Sequence, residues 1–351
     1  MFKPTVILPL FALWLTFNLL SGCRAQVPTA YQTDPTAEKM LLYQRDNGGW
    51  AQYHGDRTDY SLPMTDSLEA VLVNDKDRLD TTIDDGSTTN EINYLLKAYG
   101  QTANPAYLAS AEKGIAYLLE AQNPAGGWPQ FYPDSTHYRI HITYNDEAMI
   151  SVMWIIKRLA EDAPGYQDIA PSLRARAQPA LERGIDCILR TQIRQNGQLT
   201  AWGAQHDSQT LAPAPARAFE PASLSSKESV GIVEFLISLE SPSEEVKTAI
   251  RAAVAWLESV KIEDYNVKMI VDPSQPTGRD RVIMPDTHSS IWSRFYELGT
   301  NRPIFAGRDR VIKYDLREVE NERRVGYGFY GKWPNELLKE TYPAWEERMA
   351  H

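Results

Sequence analysis

Apolar residues recur at intervals of three and four along most of this chain, the spacing that gives a helix one buried face. Ile92, Leu95, Leu96 and Tyr99 mark one such stripe, directly after "TTIDDGSTTNEI". Asn104 and Pro105 open a second helix that runs to Gln122, with Tyr107, Leu108, Ala111, Ile115, Leu118 and Leu119 on its apolar side. The segment "NDEAMISVMWIIKRLAED" predicts a third, opened by Asn145 and Asp146, and a long fourth runs from about Leu173 to Arg194. "SSKESVGIVEFLISL" and "SPSEEVKTAIRAAVAWLESV" each begin at a Ser cap, the latter with Glu244 and Glu245 in its first turn. Alternating apolar and polar positions are scarce, so the expected class is all-α. Long loops rich in Gly, Pro and aromatics separate the helices at 54–82, 123–143, 195–224 and 262–287.

The pattern also repeats. "LLYQRDNGGWAQYH" matches "LLEAQNPAGGWPQFYP", and "ILRTQIRQNGQLTAWGAQHD" is a looser third copy. Each joins the end of an apolar helix to a Gln, a polar turn and a Trp, at Trp50, Trp128 and Trp202. The nearly equal spacing leaves room for two helices and two loops per unit, and helix pairs closing into a ring are the inference. Loops of one kind then share one rim, where function is expected.

The N-terminus reads differently. Lys3 precedes the apolar run "VILPLFALWLTFNLL", which ends at "LSGC", the layout of a lipoprotein signal cleaved before Cys23. The expected organisation is a signal over 1–22, a tether over 23–35 and a single catalytic domain over 36–351, exported and lipid-anchored to a bacterial membrane through Cys23. An ordinary secretory signal cleaved near Ala25 is the alternative. The loss of Cys23 to lipidation leaves only Cys187, so no intramolecular disulfide is available, and its apolar surroundings suit an inert thiol. The formal net charge of −10 speaks against nucleic acid as a partner. Clustered arginines still allow an acidic substrate.

Three groups carry candidate chemistry, each in a loop that leads into a helix. They are Asp84 with Asp85, Asp146 in "ITYNDEAM", and Arg217 in "PAPARAFEPASLSS". Paired acids before a helix cap its amides, or else supply oxygens to a hard cation such as Ca²⁺. His137, His141, His206 and His288 are alternative bases, though a structural hydrogen bond is the commoner use.

The motifs "TTIDDGSTTNEI", "NPAGGWPQFYP", "ITYNDEAM", "ARAFEPASLSSKESVGI" and "NRPIFAGRDRVIKYDLREVENERRVGYGFYG" resemble, in order, those of polysaccharide lyase family 10, the pectate lyases. The resemblance covers about residues 36–347. It implies an (α/α)3 toroid, a monomer, polygalacturonate as substrate and calcium-assisted β-elimination. By the same resemblance Asp84 and Asp146 match the calcium and substrate positions, and Arg217 matches an arginine general base. Arginines that hold substrate carboxylates fall among Arg294, Arg302 and Arg308, with Arg308 favoured. One departure stands out: a neutral residue is expected after the first Asp, and this chain has Asp85. Asp85 is grouped with the substrate-binding residues, its extra charge either tightening calcium or repelling the uronate. Arginine is a poor base because its pKa lies above about 12, so the expected site has a cationic neighbourhood that lowers it.

Two other functions compete. An inverting glycoside hydrolase would use two of Asp84, Asp85 and Asp146 as acid and base and need no calcium. A non-catalytic surface lipoprotein would bind pectic fragments without turnover.

Overall fold

Three antiparallel helix pairs are built on the predicted stripes. The computed structural model describes residues 1–2, 31–53 and 55–350, so the leader and the lipidation expected at Cys23 lie outside the described residues. Helix α1 spans Pro35–Tyr43, α2 Asp66–Asn74, α3 Thr89–Thr102 and α4 Pro105–Ala121. Helix α5 spans Ala148–Ala160, α6 Pro171–Thr191, α7 Ser226–Ile237 and α8 Glu244–Ser259. Packing joins α3 to α4, α5 to α6 and α7 to α8. Caps fix the starts of the second members: Asn104 accepts from the Ala106 amide at 3.1 Å, and Ser243 from the Val246 amide at 3.3 Å. Residues 32–351 form one compact unit. No helix among the described residues is long and apolar enough to cross a membrane.

The repeated Trp is the structural centre of each unit. Trp50, Trp128, Trp202 and Trp292 are each at most 1% exposed. Each indole donates to a carbonyl in the helix before it, at Met40, Leu118, Ile188 and Leu257, over 2.7–2.9 Å. Trp292 is a fourth copy that the sequence comparison missed. The repeated Gln explains how units are joined. Gln44, Gln122 and Gln192 each donate once to their own turn and once to a carbonyl of a later helix, at Ser110, Ala180 and Ala249. Gly48 and Gly126 share a φ of +94°, and a Cβ on either would collide with a helix carbonyl, of Lys113 or Arg183.

The all-α class, and with it the (α/α)3 toroid, is corrected by the strands. Ile262–Val271 and Arg279–Ser293 pair as a long antiparallel hairpin, ten residues against fifteen, and Tyr330–Gly331 adds a third strand beside the second. Four two-stranded pairs tie the loops together, among them Ile142–Thr143 with Gln205–His206 and Leu224–Ser225 with Phe295–Tyr296. The fold is mixed. Most of the hairpin was read as the loop 262–287 because it gives no alternating pattern: both faces of Ile262–Val271 are largely exposed, so no core imposes a period of two. A second core, with Phe219, Phe295, Phe305, Tyr327 and Phe329, lies under these loops and apart from the helical core.

Gln192 is buried and joins two units through the carbonyls of Thr200 and Ala249. Gln192→Ala is expected to cost about 2–4 kcal/mol, two lost hydrogen bonds plus buried unpaired carbonyls. Chemical denaturation measures it, and an unchanged midpoint would remove this joint from the account.

Candidate active site

The site starts from a backbone feature that the units share. Thr82, Thr143 and Ser225 each donate their amide to the carbonyl of their own unit's Trp, at 3.0, 3.1 and 2.7 Å. In the first two units the chain then makes a single tight turn, Asp84–Gly86 or Asn145–Glu147, before the helix. Asp85 and Asp146 occupy the same place in these turns, with φ of 49° in both, a left-handed conformation uncommon outside Gly, Asn and Asp. None of the three aspartates caps a helix. Capping therefore does not account for the paired acids. The two turns instead bring one oxygen of each of Asp84, Asp85 and Asp146 within 4.8 Å of one another.

That spacing suits a cation. Two oxygens on one Ca²⁺, each at about 2.3–2.6 Å, lie no more than about 5 Å apart. Asp84 Oδ1 is buried with no hydrogen-bond partner, the kind of orphan acceptor that a cation would satisfy. Burial first, then the charges of Asp85 and Asp146, push the Asp84 carboxyl above the ordinary range against the opposing pull of Gln130 and Arg217. Gln52 spans the pair, reaching Asp84 Oδ2 at 3.4 Å and Asp85 Oδ2 at 3.2 Å.

Asp146 is partnered quite differently. Its Oδ1 accepts from Lys227 and, at 3.3 Å, from Arg294 Nη2, while Oδ2 accepts from Asn145 Nδ2 at 2.7 Å. Burial would raise its carboxyl, but the charges of Arg294 and Lys227 hold it below the usual range. Arg294, 4% exposed, is fixed by Glu228 and by Asn145 Oδ1 at 2.9 Å.

Arg217 sits in a short loop just ahead of Phe219 and grips Glu220 in a fork, Nε to Oε2 at 2.9 Å and Nη2 to Oε1 at 2.5 Å. The carboxylate is 2% exposed and the guanidinium 42%. Tyr327 donates its hydroxyl to the same Oε1 at 3.0 Å. Its ring lies 6.0 Å from the Arg217 guanidinium and 4.8 Å from that of Arg294. Burial works to lower the Arg217 pKa, yet the hydrogen bonds and charge of Glu220 outweigh it and raise the pKa above the ordinary value. The expected cationic neighbourhood is thus absent at the guanidinium itself. Across these groups five carboxylates (Asp84, Asp85, Asp146, Glu220 and Glu228) face three cations (Arg217, Lys227 and Arg294). The surplus of two negative charges is what one divalent cation neutralises.

Other candidates lie elsewhere. Arg302 stacks over Tyr314 at 3.8 Å, and the largely exposed Arg308 pairs with Glu322; neither bonds to the three aspartates. His206 is fully buried, accepts from the Gly203 amide at 3.0 Å and has its other ring nitrogen 2.9 Å from the Leu211 carbonyl, with burial lowering its pKa to about 4. It is a neutral structural group. Cys187 is buried and its thiol is pushed up to about 12. Sequence reasoning missed Glu220, Lys227, Glu228 and Tyr327, all inside quoted motifs. Lys227 is 81 positions from its partner Asp146, so no local pattern could have paired them.

A carboxyl whose folded pKa is raised destabilises the fold once ionised. Asp84→Asn should therefore raise the melting temperature of the cation-free protein near pH 7, a gain that disappears as pH falls through the Asp84 pKa. A melting temperature that stays unchanged or falls would show that Asp84 is not held against its preference.

Known proteins give the arrangement a context. A solved structure described as a family 10 polysaccharide lyase from Cellvibrio cellulosa superposes with a TM-score of 0.76 and 31% identity, over 88% of this chain and 91% of that one. A mutant of that lyase in complex with trigalacturonic acid matches equally, over 92% of its chain. No curated protein matched. The family model for pectic acid lyase matches residues 44–338. With most of the chain matched by that model, the chain belongs to the pectic acid lyase family and is a pectate lyase.

Proposed function

We propose that this lyase cleaves polygalacturonate by calcium-assisted β-elimination, with Arg217 as the base and Asp84 and Asp146 holding the cation. The trigalacturonic acid bound to the mutant lyase of similar structure supports the substrate class. The observation that carries the reading is the orphaned Asp84 oxygen in an over-acidic cluster, close enough to Arg217 for the two charges to interact.

The proton on C5 of a galacturonate is held because its removal puts charge beside a carboxylate. Bound calcium would supply positive charge to that carboxylate and lower the cost. Arg294, paired with Asp146, would add a second positive charge to the site. Glu220 holds Nε and Nη2 of Arg217, so the guanidinium is oriented before substrate arrives. The same grip makes Arg217 harder to deprotonate, and a large share of the barrier is then the loss of its proton. Arg302 and Arg308, which do not bond to the aspartates, would hold carboxylates of other sugar units, and Asp85 would meet either the cation or a uronate.

An inverting hydrolase fits less well. Its carboxylates need about 6.5–9.5 Å between them to admit water, and here one oxygen of each aspartate lies within 4.8 Å of the others.

The test is ultraviolet absorbance of polygalacturonate with the protein at alkaline pH. A rise with calcium, abolished by a chelator, is expected from the unsaturated product. Arg217→Lys should lose most of the turnover while binding survives. New reducing ends without absorbance would mean hydrolysis, and a near-normal rate in the variant would remove Arg217 from the chemistry. The leader supports a further proposal, export with a lipid on Cys23. Cys23→Ser should release the protein from the membrane fraction, and unchanged fractionation would rule the anchor out.

A further inference from the structure

Asp146 Oδ1 is fully used, accepting from both Lys227 and Arg294, whereas Oδ2 accepts from Asn145 alone. A divalent ion that takes Oδ1 must displace one of its two donors. Arg294 is a poor candidate to leave, because it is buried and also held by Glu228 and Asn145. Lys227 is different. It lies in the first turn of α7 on a flexible four-carbon stem, with its side chain 26% exposed. Among the described residues its ammonium pairs with Asp146 alone.

We propose that Lys227 is a built-in competitor for the cation site: its ammonium holds Asp146 Oδ1 in the cation-free protein, and a divalent ion that takes this oxygen must displace it. This rests on the reading of Asp84 and Asp146 as cation ligands and adds a residue that sets the affinity. A charge tethered beside its partner acts at an effective concentration in the millimolar range or above. It therefore weakens the site until free cation is abundant, which confines catalysis to calcium-rich surroundings. Once displaced, the ammonium remains next to the bound ion and is free to meet a uronate carboxylate. The neighbouring charged groups are Asp84 and Asp85 on the first turn, Asp146 on the second, Glu228 beside Lys227 on α7, and Arg294.

The test is calorimetric titration of calcium into the full-length protein and into Lys227→Met and Lys227→Gln, each first shown to melt cooperatively. Both variants should bind calcium at least about tenfold more tightly than the parent, because neither supplies a competing charge. Gln retains a donor to Asp146, so agreement between the two isolates the charge from the contact. Equal affinity in all three proteins would overturn the role of Lys227 while leaving the calcium site intact. Weaker binding in the variants would overturn it too, by showing that the ammonium supports the site. If none of the three bound calcium at millimolar concentration, the calcium reading would fall and this proposal with it.

Discussion

Asp146 Oδ1 accepts from two cations at once, and the rest of the site is arranged around that shared oxygen. Buried carboxylates and buried guanidinium groups are costly alone and tolerable only as a closed set. Arg294 pairs through Nη2 with Glu228, Asn145 and Asp146, though its buried Nε has no partner, and Arg217 pairs with Glu220. Among the acids of the site, Asp84 is the one with a buried oxygen left unsatisfied. A protein that leaves one acceptor orphaned amid surplus negative charge holds an electrostatic strain that a divalent ion would relieve.

The scaffold makes that strain affordable by fixing the backbone first. Buried indoles tie each unit to the helix before it, and the glutamines tie it to the next helix pair. The amides of Thr82 and Thr143 dock on the Trp carbonyls, so the two acidic turns leave the core at equivalent points. The left-handed residues Asp85 and Asp146 then point their turns to one place. Rigid packing, with Lys227 and Arg294 on Asp146, keeps three aspartates together against the repulsion of their like charges.

Much of this was legible in the sequence, for definite reasons. Helical stripes located six of the helices, and the Gln-to-Trp repeat exposed three of the four units, because both depend on short spacings. The fourth unit was hidden by the hairpin Ile262–Ser293, which follows α8 and carries Trp292 near the end of its second strand. That insertion also defeated the all-α reading, since an exposed hairpin and two-residue strands leave no periodic trace. In the site, Asp84, Asp146 and Arg217 stood out as charges in loops that lead into helices. Glu220 and Glu228 did not, because only a distant partner distinguishes a buried acid from a surface one. The acidic environment of Arg217 was likewise invisible, since Glu220, three residues on, becomes decisive only when buried beneath Tyr327.

The central claim is that the acidic cluster and the substrate carboxylate share one cation. Calorimetric binding of trigalacturonate to the Arg217→Lys protein, with calcium and with a chelator, tests it most directly. The account predicts that each ligand strengthens the other by the same factor, as linkage requires. Binding of trigalacturonate with the same affinity in calcium and in chelator would contradict it.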